Sequence, residues 1–265
     1  MKNIKTLLFF SIFIIFINAC SSSEVTIDGR GHLLVEEKYE YKLKIESSNE
    51  LHLNNYSWSV TPSENTSLTD NKSSNILFTA KYAGNYLLQV TFTHGNKEVT
   101  ISKKITVFKK EKIFERLLPV EPEDMKNDET LIGIDSNSNG IRDDVERKIL
   151  KKYNKKVQAE FMLERAKLDQ MILSETITKE KARGYEKIQS RQINCSVALS
   201  DYNLTSMEDI KFLENITYNT KNRVKAYLNY NLALSGGVYG TKVSDINIGA
   251  CSNAVQKLIV ENHVY

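Results

Sequence analysis

Phe78-Thr79-Ala80-Lys81-Tyr82-Ala83-Gly84-Asn85-Tyr86-Leu87-Leu88-Gln89-Val90-Thr91-Phe92 contains the end of one strand, a turn and a second strand. Tyr86, Leu88, Val90 and Phe92 recur at every second position, the period of a strand with one buried face. The preceding strand, Ile76-Leu77-Phe78-Thr79-Ala80, ends before the turn signal Ala83-Gly84-Asn85. Further upstream, Tyr39 to Ile45 alternates in the same way. Tyr56-Ser57-Trp58-Ser59-Val60 does so too and stops at Thr61-Pro62-Ser63. Downstream, His94-Gly95-Asn96 reads as a hairpin turn into Val99-Thr100-Ile101 and Ile105-Thr106-Val107. About seven short strands with regular turn signals predict an antiparallel sandwich over residues 25–108.

With Trp58 in a middle strand and a Gly-x-Tyr turn opening the strand of Tyr86, this region resembles the immunoglobulin-like and polycystic-kidney-disease-like modules of bacterial surface proteins. The resemblance implies that Trp58 packs the core, and that the module is a spacer or binding surface. No inter-sheet cysteine pair accompanies it, so Trp58 would pack against aliphatic side chains. Trp58 and Tyr86 as a sugar platform is the alternative to core packing.

The pattern changes after residue 108. Charged residues and Leu118-Pro119-Val120-Glu121-Pro122 form a stiff segment, read as a linker over 109–128, because proline fixes its own φ and restricts its predecessor. Helical spacing follows. Val157, Phe161, Leu168 and Ile172 form one stripe. Ala182, Tyr185, Ile188, Cys195, Leu199 and Tyr202 form a second. A third runs from Ile210 through Leu213, Ile216, Val224, Tyr227 and Leu228 to Leu234. A fourth covers Ala250 to Ile259, with Asp245 as its expected cap. The expected class is α+β and multidomain: an N-terminal Ig-like β-sandwich, then an α-helical bundle domain over 129–265 that carries a calcium loop.

The chain opens on MKNIKTLLFFSIFIIFINAC, residues 1–20. Two early lysines and an apolar run from Leu7 to Ile17, too short to remain across a bilayer, describe a signal peptide over 1–19. Ile17-Asn18-Ala19-Cys20 resembles the bacterial lipobox, which implies diacylation of Cys20, with chains such as palmitate, and removal of the peptide ahead of it; an ordinary cleaved signal with an incidental cysteine is the alternative. Residues 20–24 would be a short lipidated tether. Ser21, where inner-membrane retention uses aspartate, favours the outer membrane by the same resemblance. Assigning Cys20 to lipid leaves Cys195 and Cys251 of the three cysteines, an even pair in an oxidising compartment. One structural disulfide is expected, with two separate buried thiols as the alternative. With 36 basic against 33 acidic residues, the net charge of +3 gives no reason to expect nucleic acid.

One motif carries chemistry. Asp135-Ser136-Asn137-Ser138-Asn139-Gly140-Ile141-Arg142-Asp143-Asp144-Val145-Glu146 fits a twelve-residue EF-hand loop. Calcium is a hard ion that takes six to eight oxygens at ~2.3–2.6 Å, and alternate side chains on a tight loop can converge on it. Asp135, Asn137 and Asn139 hold the first, third and fifth positions, and Gly140 permits the turn at the sixth. Ile141 offers its carbonyl, Asp143 binds through water, and Glu146 closes the shell with two oxygens. The segment is similar to the loops of dockerin and thrombospondin type 3 repeats. It departs from paired EF-hands in three ways: there is no second loop, Arg142 stands at the normally apolar eighth position, and residues 128–134 do not read as a long entering helix. The bland alternative is a polar turn without metal. Within the calcium reading, a structural staple is expected rather than a switch.

No HExxH pair, GxSxG elbow, Walker loop or CxxC occurs, and the four histidines are scattered. Lys151-Lys152 and Lys155-Lys156 read as a solvated helix face or a patch for anionic lipid or polymer. The expectation is a non-enzymatic protein of the cell envelope, periplasmic or surface-facing. It would be held to the membrane by its lipid anchor and bind an unknown envelope protein or polysaccharide. The alternative is an envelope hydrolase or carbohydrate-active enzyme whose carboxylates converge only on folding.

Overall fold

A computed structural model of the chain describes residues 24–46, 53–174, 176–237, 239–240 and 242–261. The expected signal segment, Cys20 with its expected lipidation, His52 and His263 lie outside the described residues.

Eight strands alternate inward and outward side chains: β1 (Glu24–Asp28), β2 (His32–Leu34), β3 (Tyr39–Glu46), β4 (Leu53–Thr61), β5 (Thr66–Leu68), β6 (Asn75–Ala80), β7 (Gly84–His94) and β8 (Lys97–Phe108). They form two four-stranded sheets, ordered β1-β3-β6-β5 and β2-β8-β7-β4. Every pairing is antiparallel except β2 with β8. With β1, β3, β5 and β6 facing β4, β7 and β8, this is the order of an immunoglobulin-type sandwich. Tyr86 supplies a tyrosine corner: its hydroxyl donates to the carbonyl of Tyr82 at 2.9 Å, just before β7 begins. Trp58 is buried between the sheets, and its Nε1 donates to the Ser73 carbonyl at 2.8 Å. Trp58 and Tyr86 are therefore core residues and form no sugar platform.

Two expectations are corrected. Residues 99–101 and 105–107 belong to one strand, β8, paired with β7 from Lys97 to Val107. The apparent interruption is Lys103, which stands in the core-facing phase between Ile101 and Ile105. It is partly buried, and that burial, with Lys126 nearby, lowers its pKa. The turn expected at Ala83-Gly84-Asn85 is displaced: Gly84 and Asn85 already belong to β7, and the connection from β6 crosses to the opposite sheet.

The segment expected as a linker has structure of its own. Lys112–Ile113 (β9) and Arg116–Leu117 (β10) make a small hairpin. Phe114 and Glu115 at its tip both take positive φ, the backbone of a tight primed turn, and Phe114 packs against the helical core. Leu118 is buried in that same core.

The helices are α1 (Asp124–Asp128), α2 (Asp143–Lys152), α3 (Lys156–Ser174), α4 (Lys179–Ser200), α5 (Met207–Thr217), α6 (Lys221–Leu234) and α7 (Asn253–Glu261). Their main core gathers Val145, Ile149, Phe161, Met162, Leu199 and Val255 among others, separate from the core between the sheets. A smaller cluster joins α3, α4 and α6 through Leu168, Ile172, Tyr185 and Tyr230. The third predicted stripe is two helices, α5 and α6, and Val224 and Leu228 on it face solvent. Thr220 caps α6 by accepting from the Arg223 backbone N–H. The cap of the fourth stripe is Ser252, whose Oγ accepts from Val255 N at 3.2 Å; Asp245 lies in a separate turn of 3-10 helix.

Candidate metal centre

The loop from Asp135 leads directly into α2, whose first turn holds Asp143, Asp144 and Glu146. Carboxylates suit that end of a helix because unpaired N–H groups concentrate positive potential there. Gly140 takes φ +84 at the sixth position, a left-handed turn that side chains resist. Asp135 organises the loop by accepting from Asn139 N at 3.2 Å and from Gly140 N at 2.8 Å. Asn137 and Asn139 each donate from Nδ2 to Oε2 of the buried Glu146, at 3.0 and 2.8 Å. Their Oδ1 atoms accept from Asn139 N at 3.2 Å and Ile141 N at 2.8 Å.

Asp143 supports a cation most directly. It is fully buried; Oδ1 accepts from Ser136 N at 3.0 Å, while Oδ2 is buried with no donor. Burial raises its carboxyl pKa to about 6 against the lowering by hydrogen bonds from the Ser136 backbone and side chain, with Asp135 and Glu146 adding to the rise. A buried carboxylate oxygen without a donor is costly, and a hard cation would relieve it. The structure thus brings Asp135, Asn137, Asn139, Asp143 and Glu146 into one hydrogen-bonded loop. Among the described residues no three His, Cys, Asp or Glu side chains gather closely enough to hold an ion by themselves. The donor set needs the asparagine oxygens and the Ile141 carbonyl as well, and both amides would have to turn their oxygens inward.

Sequence reasoning missed what holds the loop from behind. Arg142, fully buried, grips Asp144 with Nε at 2.5 Å and Nη2 at 3.2 Å. It also donates to the carbonyls of Ile216 at 2.7 Å and Thr217 at 3.2 Å, the end of α5. Burial pushes the Asp144 carboxyl up, but the Arg142 hydrogen bond and charge outweigh it and hold the group below its usual range. Gly133 makes room, since a Cβ there would lie 2.2 Å from Arg142 Cδ. Arg223 of α6, also fully buried, donates to Asp128 Oδ1 at 2.6 Å and to the carbonyls of Asn127, Thr130 and Leu131. Asn219 Oδ1 accepts from both arginines, at 3.3 Å from Arg142 and 2.7 Å from Arg223. The only sequence signal was Arg142 at a loop position where an apolar residue is usual; Arg223 gave none.

Cys195 in α4 and Cys251 just before α7 are joined in a disulfide, with Cα atoms 4.7 Å apart and both residues buried. Two further carboxylates on α3 are perturbed. Glu164 is raised by burial, accepts from Ser252 Oγ at 2.5 Å and borders a small cavity of about 150 Å³ beside the disulfide. Asp169 is raised to about 6 by burial and accepts from Tyr218 Oη at 3.0 Å. Five positions apart on one helix, the two project roughly 140° apart around its axis. The lysine run is largely engaged by nearby acids: Lys151 with Glu111 at 3.6 Å, Lys152 with Asp209 at 4.0 Å and Lys156 with Glu115 at 3.8 Å.

No family model and no curated protein matches this chain. Among solved structures, similar ones include the PKD domain of the KIAA 1837 protein, at 20% identity and TM-score 0.30, covering 34% of this chain and 89% of that one. A cohesin module of a family 33 glycoside hydrolase from Clostridium perfringens matches at 14% identity and TM-score 0.22, over 33% of this chain and 97% of the module. Domains 4 and 5 of the S-layer protein SbsC match at 17% identity and TM-score 0.22, over 32% of this chain and 50% of that structure.

Proposed function

We propose that this is a lipid-anchored cell-envelope protein of the binding type, held to the membrane through Cys20 and stapled by one calcium ion at Asp135–Glu146. The observation that carries the calcium reading is the buried, donorless Oδ2 of Asp143 in a loop with oxygen at every EF-hand position. Asp135, Asn137, Asn139, Asp143 and Glu146, with the Ile141 carbonyl, would hold the ion. It supplies positive charge among three carboxylates, and Arg142 fixes the helix from which two of them project. Two asparagines among the ligands lower the site's negative charge, as suits calcium-rich surroundings.

The binding role is supported by apolar side chains left exposed on neighbouring helices: Ile193 and Val197 of α4, and Leu228 and Leu232 of α6. Leu234 and Tyr239 line both an approximately 310 Å³ hollow against α4 and an approximately 530 Å³ hollow against α6. Together these exposed side chains and hollows are where a partner would find apolar surface. No helix among the described residues is long and apolar enough to cross a membrane, which suits attachment by lipid. Calcium titration calorimetry of the full chain in detergent tests the metal: one site is expected in wild type and none in Glu146→Ala. Heat absent from wild type as well would leave the segment a polar turn.

A further inference from the structure

The calcium loop lies where the two units of the chain meet. Ser136 and Asn137 line a cleft of about 400 Å³ whose other walls are Arg30 and Tyr39 of the sandwich and Pro119 and Val120 of the connecting segment. The residue after the closing ligand Glu146 is Arg147. Its Nε donates to Glu121 Oε2 at 2.6 Å and its Nη1 to the Pro119 carbonyl at 2.6 Å. The connecting segment is in turn pinned to the sandwich. The Glu121 carbonyl meets His32 Nδ1 at 2.8 Å, Glu123 Oε1 accepts from Gly31 N at 2.8 Å, and Lys126 Nζ reaches the Gly29 carbonyl at 3.3 Å. The His32 ring is itself fixed edge-on against Phe108 at the end of β8.

The helical turn that must hold Glu146 toward an ion is therefore the turn that holds Arg147 on the connecting segment, two hydrogen bonds from β2. We infer that calcium at this loop locks the sandwich against the helical bundle; this rests on the calcium reading above. In the locked arrangement the first turn of α2 is fixed at both Glu146 and Arg147. When the joint opens, Arg147 loses its acceptors and the turn is held from one side only. The ion binds the first arrangement better, and that difference is what lets it shift the equilibrium. Coupling between two sites is reciprocal, so loosening the joint must weaken calcium by the factor by which calcium tightens the joint.

Reciprocity gives a test far from the loop. A Cβ on Gly31 would lie 2.7 Å from Glu123 Cδ, the far end of a flexible side chain. Gly31→Ala therefore displaces Glu123 without rebuilding the sandwich, and Glu123→Ala breaks the same contact from its other side. Titration calorimetry of the full chain with calcium chloride should show Kd raised about fivefold in each variant, the low end of ordinary coupling. The double variant should be no weaker than either single, because one contact is lost in all three. Arg147→Ala, which cuts the relay at its other end, should weaken calcium at least as much. If wild type binds calcium and all these variants bind it with wild-type affinity, the lock is wrong while the calcium site stands. If wild type shows no binding, the site fails and the lock falls with it.

Discussion

Arg142 illustrates how much a single residue can carry that a motif does not announce. At the eighth position of a calcium loop it reads as a departure. In the fold it is a buried fork that serves Asp144 and the last carbonyls of α5 together. Removing one partner of a buried pair leaves the other charge unsatisfied, which costs about 3–5 kcal/mol. Arg142→Met should lower urea-unfolding stability by that amount, and a loss below about 1 kcal/mol would show that the pair is dispensable. Arg142→Lys keeps the charge but loses the planar fork, so it should rescue only part. Asp169 acts through pH. Its folded pKa of about 6 lies above the 3.8 of a free carboxyl, chiefly through burial. The folded state therefore holds the proton more tightly. Its contribution is complete below about pH 4 and fades as pH rises through 6. Wild type should gain stability on acidification from pH 7 to 5, by about 1.3 kcal/mol from this group. Asp169→Asn should lack that share of the gain. Asp143 titrates in the same direction, so the measurement is the difference between wild type and variant; identical pH profiles would remove Asp169 from the account.

Elements were legible wherever one residue type per position sufficed to mark a face. Period-two alternation marked β3, β4, β6 and β7, because each has one face in the core and one in water. It broke at Lys103, a charged and partly buried residue in the core-facing phase of β8, so one strand read as two. The third helical stripe failed for the opposite reason. Leu213 and Ile216 precede a real break, and the apolar Val224 and Leu228 that seemed to continue it are exposed on a new helix. A break made by Thr220 and by an arginine from another element leaves little trace in local pattern. The loop residues were legible as a group because they follow one another at EF-hand spacing; their support by Arg142 and Arg223 was not, because it joins residues more than seventy positions apart. The disulfide belongs to this scale too, since it ties α4 to the segment before α7 across 56 residues. Closing a loop of that length stabilises by roughly 4 kcal/mol in the chain-entropy treatment. Cys195→Ser with Cys251→Ser should lower the unfolding midpoint accordingly, read by circular dichroism. An unchanged midpoint in the double variant would mean that packing around α4 and α7 suffices without the bond.

The whole molecule has two separate cores, one between sheets and one among helices, and both the 135–146 loop and the 109–128 segment contribute side chains to the second through Ile141, Val145 and Leu118. On the proposed lipid anchor, attachment would depend on Cys20. Cys20→Ala should fractionate as soluble or remain unprocessed, and mature membrane-bound protein from that variant would end the lipoprotein reading. Calcium gives the last expectation. An ion that binds only the folded loop raises stability by RT ln(1 + [L]/Kd), about 1.4 kcal/mol at ten times Kd. Both loop carboxylates that begin α2 belong to the helical core's first helix, so the gain falls first on the bundle. For a unit of that size it corresponds to a rise of roughly 3–6 °C. Differential scanning calorimetry in millimolar calcium against chelator should show the bundle transition displaced upward by that amount, and Glu146→Ala should erase the displacement. The joint adds a second signature. If the ion also holds α2 on the connecting segment, the sandwich loses a partner when the bundle melts, so calcium should draw the two transitions together in temperature as well as raise the first. Arg147→Ala should keep a raised bundle transition at saturating calcium while separating the two peaks. Superimposed traces with and without calcium in wild type would dispose of both effects.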